Sequence, residues 1–260
     1  QNADSIGGRG NGRLRLSNFM KYGLYEKGDI RNSNFNIRRV LWYNRPGYEE
    51  TLYLDANGYS IPKEIEVDGQ KISNPDIVST KVVRTGDQVI PGPSDSLNVY
   101  FPHTTKWGCY DETDDFGYAG VKDWPVMRLG ETYLLRAEAR FRQNLAGAAD
   151  DINKLRDRAF KEYRASSGNP NAGKVSENQI DIDFILDERA RELIGEENRR
   201  MTLVRTNTLK ERIAKNGDVV PAAPESKVIT GFKDFNVLLP IPLSVIQLNK
   251  DAKIEQNTGY

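Results

Sequence analysis

The spacing of hydrophobic positions changes about halfway along this chain. In residues 1–125 the apolar runs are short, such as Arg39–Tyr43 and Lys81–Arg84, and Gly, Pro, Asn and Asp separate them. This pattern is typical of short strands joined by loops. From Val126 onward, apolar residues recur every three or four positions, which predicts helices. We therefore predict two regions: an irregular, loop-rich region over 1–125 and a helical region with an extended tail over 126–260.

The helical region is predicted to begin with a helix hairpin. The first helix is expected over Val126–Gln143, Asn144–Gly147 forms the turn, and Ala148–Ala159 forms the second helix. Helices joined by so short a turn pack against each other in antiparallel orientation. Leu129-Gly130-x-x-Tyr133 matches the core of a tetratricopeptide hairpin, in which the glycine allows the partner backbone to approach. The apolar face of the first helix comprises Val126, Gly130, Tyr133, Leu134, Ala137 and Phe141.

A charged helical stretch follows over Phe184–Arg205, and we expect the helix to continue through Thr206–Lys215. Glu188 and Glu192 are four residues apart and therefore lie on one helix face, with Glu196 one turn further. These glutamates could be catalytic acids, because a glycosidase needs two carboxyls roughly 5–9 Å apart, one of them with a raised pKa. Alternatively, they form a structural network with the neighbouring arginines. Arginines within a turn would keep the carboxylates ionised, which favours the network.

Four segments follow one another along the chain: YEKGDIR (Tyr25–Arg31) with an Asp-x-Arg element, RLGETYLLRAEA (Arg128–Ala139) followed by DDINKLRDRA (Asp150–Ala159), ERARELIGEENRRMTLVR (Glu188–Arg205), and LLPIP (Leu238–Pro242) with the ending QNTGY (Gln256–Tyr260). Prolines two residues apart in the last segment fix an extended backbone. In this order and spacing, the four segments resemble the carboxy-terminal half of the SusD/RagB family of outer-membrane nutrient-binding lipoproteins.

This resemblance implies a mainly α fold: part of a tetratricopeptide-like superhelix joined to a large irregular region with a few short strands, in one integrated domain. It implies non-catalytic binding of an oligosaccharide or polysaccharide at the bacterial outer surface, and delivery to a SusC-like TonB-dependent transporter. The membrane anchor would be a lipid in an amino-terminal half that we expect this chain to lack. The alternatives are peptide capture within the same family, a protein-binding helical-repeat scaffold and, as the least favoured, a glycoside hydrolase.

Composition excludes several other classes. Lysine plus arginine equals aspartate plus glutamate, with 37 of each, so charge gives no argument for nucleic acid or for an anionic membrane surface. The sequence contains one cysteine, Cys109, and one histidine, His103, which cannot form an internal disulfide or a common zinc site. No nucleophile-elbow motif accompanies His103. We predict no cofactor and no metal.

Two loop segments carry residue types that bind ions in other proteins. The acidic run Asp111–Asp115 offers oxygen ligands but lacks the glycine and the terminal glutamate of an EF-hand loop. Gly7–Gly12 is glycine-rich but lacks both a preceding strand and a following lysine-serine pair, so it does not match a phosphate-binding loop. Neither segment supports an ion site.

The aromatic residues of the first region are the stronger candidates for ligand binding. Sugars present flat apolar faces ringed by hydroxyls, so their sites need exposed aromatic rings beside planar hydrogen-bonding side chains. For the tryptophans the alternative is a core position, and Trp124, before Pro125, is expected to anchor the helix entry by packing. The candidate ligand-binding residues are Trp42, Tyr43, Asn44, Trp107, Tyr110 and Asp111.

Overall fold

The computed structural model describes residues 16–92, 102–107, 123–216, 219–220, 223–227 and 232–260. The chain divides into two compact units, residues 1–197 and 198–260. Helices dominate the described residues and short strands accompany them, which confirms the predicted mainly α fold class. None of the helices in these ranges combines the length and the apolar composition needed to cross a bilayer.

The first part of unit 1 is built from short antiparallel strands. The strands are Ile37–Arg38 (β1), Leu41–Trp42 (β2), Glu50–Leu54 (β3), Ser60–Ile61 (β4), Glu64–Val67 (β5), Gln70–Ser73 (β6), Ser79–Val83 (β7), Gln88–Val89 (β8) and His103–Thr104 (β9). One sheet has the order β4-β3-β7, and three two-stranded ribbons pair β1 with β9, β2 with β8, and β5 with β6.

A small apolar core joins the β2–β8 ribbon to the three-stranded sheet. Its buried members are Tyr43, Leu52, Val83 and Val89. Side chains alternate between the two faces of a strand, so burial of one face leaves the other to solvent. This core therefore determines which residues of the ribbon point outward.

The second part of unit 1 contains four α-helices and a 3-10 turn over Glu177–Gln179 among the described residues. The helices are Leu129–Arg142 (α1), Ala148–Ala159 (α2), Lys161–Ser167 (α3) and Ile182–Glu192 (α4). Leu134 of α1, Ile152 of α2 and Ile185 of α4 are completely buried in one hydrophobic cluster. The predicted hairpin of α1 and α2 is present, and α4 packs against α1. Glu177 supports the start of α2, where its carboxylate accepts hydrogen bonds from two backbone N–H groups at 2.9 and 3.0 Å.

The first helix begins later than the sequence pattern predicts. Val126 was expected on its apolar face, but it precedes α1 and is 93% exposed. The cause is Arg128, which keeps an extended backbone as the N-terminal cap while its guanidinium binds Glu192. Trp124 is 58% exposed in the described structure, so it does not anchor the helix by packing as expected.

The charged stretch is not one continuous helix. In unit 1, α4 ends at Glu192 and Gly195 follows in the left-handed conformation, with φ of 73°. Unit 2 begins a new helix, Arg199–Arg205 (α5), capped by Asn198, which accepts a hydrogen bond from the backbone of Met201. Asn207, with φ of 57°, ends that helix. The predicted continuation through 206–215 is therefore replaced by a separate helix, Leu209–Asn216 (α6).

Unit 2 ends in a segment that folds back on itself. After α6, the elements of unit 2 are the hairpin of Val219–Val220 (β10) with Ala223–Lys227 (β11), a 3-10 turn over Asp234–Val237 and a short helix, Leu243–Leu248 (α7). In the LLPIP segment Leu238 has an extended backbone (φ −89°, ψ 158°), and residues 239–242 form neither helix nor strand, which agrees with the prediction that the two prolines prevent a helix. Side chains of the QNTGY ending supply the partners that a neighbouring strand would otherwise give: Gln256 binds both backbone groups of Ile241 at 2.7 and 2.8 Å, and the Tyr260 hydroxyl donates to the Leu238 carbonyl at 3.0 Å.

Candidate functional site

Glu188 is the centre of a buried charge network on α4. Its side chain is fully buried, and three guanidiniums donate to it: Arg31 at 2.8 Å, Arg156 at 2.9 Å and Arg191 at 2.9 Å. Burial alone would raise the pKa of this carboxyl, but the positive charges of these arginines lower it below its ordinary value. Glu188 is therefore ionised and fully engaged in the folded protein.

Glu192, one turn further along α4, is held in the same way. Its carboxylate accepts hydrogen bonds from Arg31 at 3.1 Å, Arg128 at 2.6 Å and Arg158 at 2.5 Å. Burial would raise its pKa, but the hydrogen bonds from Arg128 and Arg158 and the nearby positive charges lower the pKa to about 2. The predicted shared face of Glu188 and Glu192 is confirmed, because one guanidinium, that of Arg31, binds both carboxylates.

Arg31 also connects this network to the Asp-x-Arg element near the start of the described chain. The guanidinium of Arg31 forms a two-point contact with Asp29, at 2.9 Å for Nε to Oδ1 and 2.7 Å for Nη2 to Oδ2. Asp29 also accepts the backbone N–H of Arg31 at 3.0 Å, which caps a 3-10 turn over Ile30–Asn32. The local turn thus aims the Arg31 side chain at α4.

Glu196 lies beyond the end of α4 and binds two further cations. Its carboxylate contacts Lys106 at 2.6 Å and Arg128 at 2.5 Å. Partial burial would raise its pKa, but the hydrogen bonds from Lys106 and Arg128 lower it. Glu196, like Glu188 and Glu192, is therefore a carboxylate with a lowered pKa that is bound by cations.

This arrangement is that of a structural network. A glycosidase requires one carboxyl with a raised pKa, which can donate a proton to the leaving group. In all three glutamates the pKa is lowered, and each carboxylate is bound by at least two cations. The geometry therefore supplies no proton donor at these positions and favours the Glu–Arg network over a pair of catalytic acids.

The outer face of the β2–β8 ribbon is the better candidate for a ligand surface. Leu41 pairs with Val89 and Trp42 pairs with Gln88 across the ribbon. Residues directly opposite each other share a face, and the Leu41–Val89 face is the one that packs into the strand core. Trp42 is 61% exposed on the other face, where Gln88 and Asn44 are exposed as well. We call Trp42, Asn44 and Gln88 the ribbon face.

The structure does not bring all of the predicted ligand-binding residues together on one surface. Tyr43 is 1% exposed and belongs to the strand core, so it does not contribute to the ribbon face. The backbone of Trp107 ends a 3-10 turn that begins at Thr105, whereas Tyr110 and Asp111 lie outside the described residues. For these three positions, a role in ligand binding stays a prediction.

Sequence reasoning did not identify Gln88. The polar-apolar alternation of Gln88-Val89 after the turn at Gly86 is the local signal for an outward-facing residue. Its pairing with Trp42 is a long-range contact that no local pattern reveals.

The minor candidates do not form a site in the described part of the chain. His103 lies in β9 opposite Arg38. Cys109, the acidic run 111–115 and the glycine-rich segment 7–12 fall outside the described residues. Among the residues that are described, no group of three or more His, Cys, Asp or Glu side chains is placed to hold a metal ion.

Comparison with known proteins identifies the family. Residues 85–260, more than half of the chain, match the model of the SusD family. The starch-binding protein SusD of Bacteroides thetaiotaomicron is 33% identical over 138 residues, which cover 53% of this chain and 22% of that protein. The SusD-like protein P25 of Formosa agariphila is 34% identical over 172 residues, which cover 63% of this chain and 30% of that protein. The alignments span less than a third of the length of either relative. On this match, the chain belongs to the SusD family.

Proposed function

We propose that this chain binds an oligosaccharide or polysaccharide through the ribbon face without breaking any bond. The observation that carries the proposal is the exposed indole of Trp42, which pairs across the ribbon with the exposed Gln88 on a surface fixed by a buried core. Membership of the SusD family and similarity to a protein named for starch binding support the same chemistry.

The ribbon face has the properties that sugar recognition requires. The flat indole of Trp42 offers an apolar platform for the C–H face of a pyranose ring. The carboxamides of Asn44 and Gln88 each provide two donor hydrogens and one acceptor oxygen, which match the mixed donor and acceptor character of sugar hydroxyls. Both strands of the ribbon are held by the core beneath them, so binding loses little conformational entropy of the backbone.

In the wider assembly, we propose that the protein acts at the surface of the bacterial outer membrane. It would deliver its glycan to a SusC-like TonB-dependent transporter, and a lipid in an amino-terminal part of the whole protein would anchor it. Family membership supports these three proposals. The predicted division at residue 125 is also retained as a proposal, with ligand binding assigned to the region before it.

The test is binding to a panel of polysaccharides, measured by affinity gel electrophoresis and isothermal calorimetry. Stacking that covers an exposed tryptophan contributes about 1.5–3 kcal/mol, so Trp42→Ala should weaken binding ~10- to 150-fold. Phe35→Ala is the matched control, because Phe35 is 84% exposed and lies outside the ribbon face. Equal weakening by both variants, or none by Trp42→Ala, would contradict the proposed site.

The same panel separates the alternative functions. Binding of peptides without binding of any glycan would favour peptide capture by the same fold. Release of reducing sugar that disappears in Glu192→Gln would show that the network is catalytic and would overturn the non-catalytic assignment.

A further inference from the structure

A second exposed aromatic residue, Tyr48, follows the ribbon face along the chain. Tyr48 is 71% exposed and lies shortly after Trp42, which is 61% exposed. Asn44 and Arg45, which lie between the two aromatic residues, are exposed as well. The segment 42–48 therefore presents two aromatic rings to solvent with polar side chains between them, which is the combination that recognition of a sugar chain requires.

A tight turn fixes the backbone that carries Tyr48. The N–H of Tyr48 donates to the carbonyl of Arg45 at 3.1 Å. Pro46 and Gly47 occupy the two central positions of this turn, and Gly47 has φ of 80°. Proline followed by glycine with a positive φ is typical of a type II turn, and the proline ring restricts the backbone before any ligand binds. Binding to this segment therefore loses little conformational entropy of the backbone.

Pairing across the two strands holds the chain on both sides of the turn. Before the turn, the N–H of Tyr43 donates to the carbonyl of Asp87 at 2.8 Å, and the carbonyl of Tyr43 accepts from the N–H of Gly86 at 2.9 Å. After the turn, β3 begins at Glu50, which pairs with Val83 of β7. The backbone positions of both aromatic residues are therefore set by the fold in the absence of a ligand.

The two rings are too far apart to hold one sugar unit between them. The strand core joins the β2–β8 ribbon to the sheet that contains β3, and packed layers of strands are about 10 Å apart. Trp42 points away from this core, whereas Tyr48 leads into β3. The distance also has an upper limit: three residues of chain span at most about 11 Å, and the ends of a β-turn are less than about 7 Å apart, so the two Cα atoms lie within about 18 Å.

We propose that Tyr48 is a second stacking platform, so that the site takes a linear chain of several sugar units in preference to a monosaccharide or disaccharide. This inference rests on the proposed function, because it assumes that one sugar unit stacks on Trp42. The hydroxyls of the units in between would meet the carboxamide of Asn44 and the guanidinium of Arg45, which offer both N–H donors and a carbonyl acceptor. A longer chain gains affinity because its second contact is made within the complex.

The experiment measures affinity as a function of chain length. The probes are linear malto-, cello- and xylo-oligosaccharides, each from the disaccharide to the hexasaccharide, and binding is measured by isothermal calorimetry. In a series that binds, affinity should rise ~5- to 20-fold once the chain is long enough to cover both rings, because stacking on Tyr48 removes a further apolar surface from water.

Variants of Tyr48 test whether this residue causes the rise. Tyr48→Ala should abolish the rise and leave the affinity for the disaccharide unchanged. Tyr48→Phe should retain it, because the ring and not the hydroxyl provides the platform. Phe35→Ala is the control: Phe35 is 84% exposed and lies outside the segment, so this variant should keep the full rise.

The outcomes separate this inference from the proposed function. The same affinity at every chain length, a rise that persists in Tyr48→Ala, or equal losses in Tyr48→Phe and Tyr48→Ala would overturn the second platform. If the disaccharide still requires Trp42 in any of these cases, the proposed function stands. If none of the three series binds, the second platform is overturned, and the polysaccharide panel with Trp42→Ala decides the proposed function by itself.

Discussion

Glu188→Gln tests whether the charge network stabilises unit 1. This substitution keeps the size of the side chain and one acceptor oxygen but removes the negative charge that faces Arg31, Arg156 and Arg191. The three guanidiniums would then surround a neutral amide in a site closed to water. Breaking a buried ion pair in this way leaves uncompensated charge, which costs about 3–5 kcal/mol.

The contacts that remain place the expected loss near the lower end of that range. Arg31 keeps Asp29 at 2.7 Å and Glu192 at 3.1 Å. Arg191 still donates to the Leu24 carbonyl at 2.9 Å, and Arg156 still binds Glu26. We therefore expect Glu188→Gln to lower the free energy of unfolding by about 3 kcal/mol, a large share of the 5–15 kcal/mol typical of a folded domain.

Urea unfolding followed by tryptophan fluorescence measures this loss, since Trp42, Trp107 and Trp124 all belong to unit 1. With an unfolding slope of about 2–3 kcal/mol per molar urea, the midpoint should fall by roughly 1 M. The control is Glu64→Gln, an exposed position on β5 that should change stability by less than about 0.5 kcal/mol. If the two variants unfold at the same urea concentration, the network does not stabilise the fold and our reasoning is wrong.

Two further predictions concern Glu192 and Gly130. The pKa of Glu192 is lowered to about 2 in the folded state, whereas it is about 4.3 in an unfolded chain, so its ionised form stabilises the protein above about pH 5. About 3 kcal/mol of unfolding free energy should be lost as pH falls from about 5 to about 2. Urea titrations at several pH values should show that Glu192→Gln loses less unfolding free energy than the wild type over this range. Parallel pH profiles of the two proteins would contradict this prediction. A Cβ on Gly130 would lie 2.6 Å from Nη1 of Arg128 and 3.0 Å from Oε1 of Glu192. Gly130→Ala should therefore lower the midpoint of thermal unfolding despite the better helix propensity of alanine. The decrease in the midpoint should be smaller when Arg128 is also replaced by Met. An increase in the midpoint would refute the close contact of residue 130 with Arg128 and Glu192.

The sequence was sufficient for elements that depend on local spacing. Apolar residues such as Leu134 and Ile152 recur with a helical period, and the structure places them in the core of the predicted hairpin. The role expected for Gly130 was wrong in detail: the space that it leaves accommodates the side chains of Arg128 and Glu192, not the backbone of the partner helix. The break after α4 was readable in principle, because a glycine such as Gly195 shortly after the last helical turn is a common C-terminal signal.

Contacts between distant segments could not be read from any local pattern. The pairing of Trp42 with Gln88, and hence the ribbon face, depends on which strands meet. The contact of Arg31 with Glu188 likewise depends on how the chain between them folds. The resemblance to a family rested on the order of four segments along the chain. It did not indicate that the charged side chains of these segments contact one another in the fold.

The contacts among these charged side chains indicate that the segments carrying them stabilise the fold, whereas the ribbon face does not. The Asp-x-Arg element contributes Arg31, the helix hairpin contributes Arg156, and α4 contributes Glu188, so each segment supplies charges that are compensated only when the others are present. Trp42, by contrast, is exposed, and its replacement leaves no buried group without a partner. Substitutions on the ribbon face should therefore change ligand preference at little cost in stability, whereas substitutions in the network should destabilise the scaffold that positions this face.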